Sequence, residues 1–368
     1  MASPRFLLGC YEVPGWGGAG TVSYALFKRM QQDGVAVRYV NLVKHGDAAM
    51  LAESFGAAAG NPAALDDVHT LVLPEPLWRA HAELTGMIEA LRPDLLVARG
   101  FLAAWLMKRA APHLPLAFLT SGCSQIKRLL CAGVIDDFAD FSRLVARGVR
   151  FEVARGDQEA EAVAGSDLII LHSPTVRAAF EHFFAGAMGR VYANLISVAD
   201  DVCDDAAPFL PLARPFAARD IDVIFVASNW RRPEKNYPLL RRIAASCGDL
   251  RVHVVGAMEP DDLAVQCHGV VARRAAVYGL LGRAKVLVCP SSWDPAPGVL
   301  FEASLMGCNV VASRNCGNWE LCNERLLAQS PDDFVRCLRH AMAGPLPDHR
   351  QRFLGGYAEL VETLQAFV

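Results

Sequence analysis

The sequence lacks most of the features that settle a protein's class at a glance. It has no dominant charge: 36 Lys and Arg stand against 39 Asp and Glu, a formal net charge of −3. That removes the electrostatic case for nucleic acid as the main partner. No apolar run reaches about 18 residues without a charge, Gly or Pro, so no transmembrane span is expected. The opening stretch MASPRFLLGCYEVPG has no long apolar core and no cleavage site, and is expected to be a first β-strand. Eleven cysteines include no CxxC pair and no Cys/His metal spacing. They read as small buried hydrophobes in a reducing cytosol, which puts the protein in the cytoplasm. Repeats and low-complexity tracts are absent beyond a general richness in Ala.

What is present is apolar and regular. With 368 residues, 53% apolar and 20% charged, the chain can bury sizeable cores and is too long for one ordinary domain. Strand-like and helix-like segments alternate. RFLLGCYEVP, VAVRYVNL, DLLVARG, PLAFLTSG and DLIILHSP read as strands. VSYALFKRMQQDG, the region from Pro76 to Leu91, LAAWLMKRAA and 152–165 read as helices, the first of them stopped by Gly34. Continuous apolar strands at this spacing mean a parallel α/β sheet covered on both faces. The pattern lapses between Tyr192 and Arg219, a stretch rich in Asp, Ala and Pro that reads as a linker. Alternation then restarts with IDVIFVASN and runs to NVVAS, and RQRFLGGYAELVETLQAFV closes the chain as an amphipathic helix after Pro345 and Pro347. The expected domains are therefore 1–195, 196–348 and a terminal helix, 349–368, that crosses back to the first. Each main domain is Rossmann-like and doubly wound, and the two are expected to face each other across a ligand cleft.

Candidate binding residues should follow strands. In VLVCPSSWDPAPGVLFE (286–302) an apolar strand breaks at Pro290, passes Asp294, and enters a helix containing Glu302. Free amides at a helix N-terminus favour phosphate. The two carboxylates would repel phosphate, so they are assigned to hydroxyl groups beside it. Phosphate next to hydroxyls points to a nucleotide sugar. After IDVIFVASN, the loop with Arg231, Arg232 and Lys235 can neutralise a diphosphate leaving group, although a merely solvated loop would look similar. In the first half, Gly17 and Gly18 lie in a Gly-rich strand-to-helix loop that either lines a ligand or simply turns tightly. Lys127 and Arg128, in SGCSQIKR, suit an anionic acceptor or plain solvation equally well. Asp220-Ile221-Asp222 has the form of a DxD metal motif but sits at a strand entrance, on the wrong edge, and no metal is expected.

These residues carry a resemblance. VLVCPSSWDPAPGVLFEASLMGCNVVASRNCGNWEL (286–321) resembles the signature of the retaining glycosyltransferases of family 4, the group 1 glycosyl transferases of the GT-B fold. Lys235 falls where that family carries a phosphate-binding lysine, and the Gly-rich loop and AGSDLIILHS fit it loosely. The resemblance implies that Asp294 contacts the transferred sugar and Glu302 the ribose hydroxyls. It also implies that Gly298, Val299 and Leu300 offer amides to the diphosphate and sugar, and that no metal or cofactor is needed. The donor would be a nucleoside-diphosphate sugar. The acceptor would be a glycan, glycolipid or small molecule, as in polysaccharide or glycoside assembly. Peripheral association with the inner face of a membrane occurs in the family, but no basic cluster dense enough to assert it is found. Departures are specific: Asp294 replaces a Glu, Trp230 replaces an Arg, and Arg99 and LTSGCSQ (119–125) stand where a first-domain histidine is expected. His172 is either recruited in its place or simply packed. The departures keep two alternatives open, a non-catalytic nucleotide-sugar-binding partner protein and a nucleotide-sugar epimerase. A nicotinamide dehydrogenase fits worst, because no acidic ribose partner follows the second strand.

Overall fold

The computed structural model describes residues 4–12, 18–44, 67–73, 81–193, 206–258, 263–271, 273–317, 326–346 and 356–368. The chain forms two compact units, each assembled from separated stretches. The first comprises Met1–Cys123, Phe151–Ser197 and Gly356–Val368; the second comprises Ser124–Arg150 and Val198–Gly355.

In the first unit β1 (Arg5–Cys10), α1 (Gly18–Gln32), β2 (Ala36–Lys44), β3 (Val68–Leu73), α2 (His81–Leu91), β4 (Leu95–Arg99), α3 (Phe101–Ala110) and β5 (Leu116–Leu119) follow in order. The chain then leaves through α4 (Ser124–Cys131) and α5 (Phe138–Ala146). It returns as α6 (Gln158–Gly165), β6 (Leu168–Leu171), α7 (Pro174–Phe184) and β7 (Arg190–Ala193). The seven strands make one sheet in the order β3-β2-β1-β4-β5-β6-β7, with every pairing parallel. LLVAR in β4 is buried along its whole length, as a strand covered on both faces must be. Gly34, at φ +74, takes the left-handed conformation just beyond α1 that its place in the sequence predicts.

The second unit repeats the plan with β8 (Ile221–Asn229), α8 (Tyr237–Ala245), β9 (Val252–Ala257), β10 (Gln266–Cys267), α9 (Arg274–Leu281), β11 (Ala284–Cys289), α10 (Gly298–Leu305), β12 (Asn309–Ser313), β13 (Leu327–Ala328) and α11 (Pro331–Met342). Its sheet order is β10-β9-β8-β11-β12-β13, again all parallel. Two apolar cores lie on opposite faces. Tyr278, Leu281, Leu300 and Met306 bring α9 and α10 to one; Leu240, Ile243, Phe334 and Leu338 bring α8 and α11 to the other. Each such side chain contributes about 1.5–3 kcal/mol of burial. Within the stretch read as a linker, the described part makes two 3-10 turns, Ala207–Leu212 and Phe216–Ala218.

The last helix, α12 (Tyr357–Phe367), belongs to the first unit, where Tyr357 Oη donates to Val22 O at 3.0 Å. The excursion of 124–150 into the second unit has no counterpart in a boundary drawn at 195. Among the described residues no helix is long and apolar enough to cross a membrane.

Candidate nucleotide-sugar site

In an open parallel sheet, ligands bind outside the carboxyl ends of the strands where the strand order reverses. In the second unit that point lies between β8 and β11, so the loops at 230–236 and 290–297 are the ones to build from. After β8, Trp230 turns into the core and its Nε1 donates to Val255 O at 2.9 Å. Gly256 (φ +126) makes room for this: a Cβ there would stand 1.9 Å from Ala227 O. Thus the residue standing in place of an arginine serves packing. Pro233–Lys235 forms one 3-10 turn, and Asn236 follows in the left-handed region at φ +58. Asn tolerates this conformation, and here its Oδ1 caps α8 by accepting from Leu239 N at 3.3 Å. The backbone on the C-terminal side of Lys235 is thereby fixed.

The second loop is laced to the first through Glu234. Its carbonyl accepts from Ser292 N at 3.0 Å and Trp293 N at 3.4 Å. This brings the Lys235 ammonium onto Asp294 Oδ2, with the two side chains only 17% and 12% exposed. Burial works against the lysine's charge, but the Asp294 carboxylate outweighs it and holds the ammonium above the ordinary lysine range. The Glu234 carboxylate takes Arg232 at 2.5 Å and Lys127 at 3.8 Å. Burial raises its pKa; those two cations more than reverse the effect and hold it below the usual range. Cys289, at the end of β11, has its Sγ 3.7 Å from Cys316 Sγ.

Helix α10 opens with Pro297 as N-cap and no side-chain cap, which leaves amides for an anion. Of the three expected to serve, Leu300 N already donates to Pro297 O at 3.1 Å. Further along, Glu302 Oε1 accepts from Arg274 Nη2 at 2.9 Å, and Arg274 lies over the Tyr278 ring. Lys235 and Asp294 are therefore brought into contact. Glu302 has a partner of its own, Arg232 is spent on Glu234, and Arg231 is exposed, with its amide donating to Asn229 Oδ1 at 2.9 Å. Lys127, which suited an anionic acceptor or plain solvation equally well, lies against Glu234. Gly17 lies outside the described residues, and Gly18 is the first residue of α1.

Sequence reasoning missed Glu234, Arg274 and Asn315. Asn315 follows β12 directly, so its place after a parallel strand could have flagged it. Arg274 is 28 residues from Glu302 with no period linking them. Asp220 and Asp222 stand at the opposite edge of the sheet, as expected, in ion pairs with Arg283 and Arg214 and with Arg251 and Lys285.

The equivalent edge of the first unit holds Arg99, Thr120 and His172, all buried. Thr120 Oγ1 donates to Ile170 O at 3.0 Å and lies 2.9 Å from His172 Nδ1. With the hydroxyl proton so used, Nδ1 carries the imidazole hydrogen. Burial first, and then the charge of Arg99, push the His172 pKa well below the ordinary value, so the ring is neutral.

Residues 221–343 match the family described as Glycosyl transferases group 1. The likeness to that family covers this third of the chain. Over the whole chain the fold is that of the GT-B glycosyltransferases. Sucrose-phosphate synthase from Thermosynechococcus elongatus superposes with a TM-score of 0.66 at 16% identity, covering 99% of this chain and 98% of that one. A UDP-forming α,α-trehalose-phosphate synthase from Burkholderia xenovorans gives 0.63 at 10% identity, covering 99% and 98%. Anabaena HepE in complex with UDP and glucose gives 0.60 at 15% identity, covering 99% of each chain. No curated protein matches the sequence itself. Lys235, Asp294 and Glu302 all lie within the matched residues.

Proposed function

We propose that the protein is a retaining glycosyltransferase that moves a sugar from a nucleoside-diphosphate sugar to a hydroxyl of a glycan, glycolipid or small molecule. The observation that carries this reading is the Lys235–Asp294 contact beside the strand reversal of the unit that matches the group 1 glycosyl transferases. The diphosphate lies against the amides that open α10. Lys235 and Arg231 meet the negative charge that grows on the leaving phosphate as the glycosyl carbon–oxygen bond breaks. Asp294 accepts a hydrogen bond from a sugar hydroxyl, and Glu302, oriented by Arg274, accepts from the ribose. The acceptor oxygen forms the new bond on the face the phosphate leaves, which retains configuration, and its proton passes to the departing phosphate oxygen. Charge is compensated by the chain's own cations and amides, so this reading requires no divalent ion.

Calorimetric titration with UDP, GDP and dTDP, with and without magnesium, tests it on wild type and Glu302→Ala. UDP comes first, since HepE holds UDP and glucose. Losing one charge-assisted contact should weaken one nucleotide by about 10- to 150-fold, equivalent to about 1.5–3 kcal/mol. A folded sample that bound none of the three would remove the transferase reading.

A further inference from the structure

Asn315 is bonded both to its own loop and to a helix distant in sequence. The loop leaving β12 runs beside Asp294. Asp294 N donates to Asn315 O at 3.4 Å, Gly317 N donates to Asp294 O at 2.7 Å, and Asp294 pairs with Cys316 as a parallel bridge. The Asn315 amide donates to Ser313 Oγ at 3.1 Å. Its side chain reaches the other way, to the start of α5. Oδ1 accepts from Ala139 N at 2.9 Å, and Nδ2 donates to Asp137 Oδ2 at 3.2 Å. The orientation of that carboxamide is forced, since a backbone N–H can only donate and an ionised carboxylate can only accept. Asp137 uses its other oxygen to cap α5, accepting from Asp140 N at 2.7 Å.

The same helix start grips the chain on the other side of Asp294. Phe138 N donates to Ser292 O at 3.0 Å, and the Phe138 ring stacks on Trp293 at 6.3 Å with an interplanar angle of 15°. Trp293 is fully buried, and Asn315 and Asp294 are 7% and 9% exposed. Both flanks of Asp294 are therefore fastened to one helix N-terminus, contributed by a stretch far away in sequence. Glu302 lies outside this network, on Arg274.

We propose that Asn315 is a positioning residue: it ties Asp294 to the N-terminus of α5, so that the segment 124–150 sets where the sugar-facing carboxylate stands. This rests on the glycosyl-transfer reading given above. Displacing Asp294 should slow transfer while leaving nucleotide binding, which depends on Glu302 and the α10 amides, largely as it was. A side chain that only held the fold together would lower stability without separating these two readouts.

The test is a reciprocal swap. Asn315→Asp sets a carboxylate against Asp137. Adding Asp137→Asn reverses donor and acceptor and restores the pair, with the Ala139 N bond kept throughout. In Asn315→Asp, kcat should fall about 10- to 100-fold, the range expected for a misplacement near 1 Å. Nucleoside-diphosphate affinity should stay within about threefold of wild type, less than one hydrogen bond is worth. Hydrogen exchange at Phe138, Ala139 and Asp294 should quicken, and the double variant should recover both rate and protection. The proposal is overturned by an Asn315→Asp enzyme with wild-type kcat, by equal losses in kcat and nucleotide affinity, or by a folded double variant that recovers neither. Should Asn315→Asp not fold, Asn315→Ser, too short to span both partners, is read the same way. If wild type turns over no nucleoside-diphosphate sugar, the transfer reading falls by itself. Unchanged exchange at Asp294 in the same variants would then sink the positioning role separately.

Discussion

The two sheets share a strand order through their first six strands and every pairing is parallel, yet their carboxyl edges are furnished in opposite ways. At the edge of the second, charges come in pairs: Lys235 with Asp294, Arg274 with Glu302, Arg232 with Glu234. At the edge of the first, Thr120 and His172 are buried, hydrogen-bonded to each other and neutral, next to Arg99. The scaffold is common and the chemistry is not, which is why function must be argued from the site. Paired charges can trade one partner for a charged ligand such as a diphosphate. A neutral buried pair offers only hydrogen bonds, which suits a hydroxyl.

The largest effect should come from unbalancing the charged edge. Lys235→Met leaves Asp294 nearly buried without its cation. Removing one member of a buried pair costs about 3 kcal/mol or more, and losing a donor to developing charge costs about 10²–10³ in rate. Thr120→Val, the matching cut in the first unit, removes one neutral hydrogen bond worth about 1 kcal/mol. Urea unfolding and donor turnover of the two variants, side by side, check the asymmetry. Equal losses would mean that the two edges do not differ in the way described.

Much of this contrast could be read before any coordinates, but unevenly. Apolar strands such as VLVC and LLVA are buried on both faces, so the parallel sheets follow from composition alone. Lys235, Asp294 and Glu302 stood out as candidates because each follows a strand of one sheet. Their partners were not. Glu234 looks like an ordinary loop acid until its carbonyl is found holding Ser292 and Trp293. Asp137 and Phe138 reach the site from a segment 154 or more residues earlier in sequence; no local period encodes where a helix docks when its contacts are that distant. Trp230, read as a departure at a ligand position, is explained by a core hydrogen bond to Val255.

A middle-sized effect belongs to the opposite edge of the second sheet. Burial disfavours the Asp222 charge, but bonds from Arg251 and Lys285 win and hold its pKa well below the usual carboxylate range. A depressed carboxylate stabilises fully above its unfolded pKa, about 4, and loses that contribution as pH falls toward the folded value. Asp222→Asn should therefore cost about 1.5–3 kcal/mol at pH 7 and progressively less below pH 4. Denaturation at both pH values reads the difference. A penalty that did not shrink in acid would show that shape, and not charge, is what Asp222 supplies.

The smallest effect separates the two units by histidine. His172 is neutral in the folded chain because burial, then Arg99, disfavours its proton. In the unfolded chain it takes up a proton near pH 6.5. Between those two values the unfolded state binds more protons, so stability falls as pH drops, by at most about 1.4 kcal/mol per pH unit. His172→Gln removes that slope. The second unit has a comparable device in His253 and His268, whose facing nitrogens are 2.9 Å apart; burial lowers both pKa values, and each also meets nearby positive charge. Its slope should survive in His172→Gln. Unfolding of the first unit between pH 6.5 and 5 should become flatter in that variant while the second keeps its acid sensitivity. Flattening of both together would mean that the two units unfold as one, and the contrast between their edges would then be one of chemistry alone.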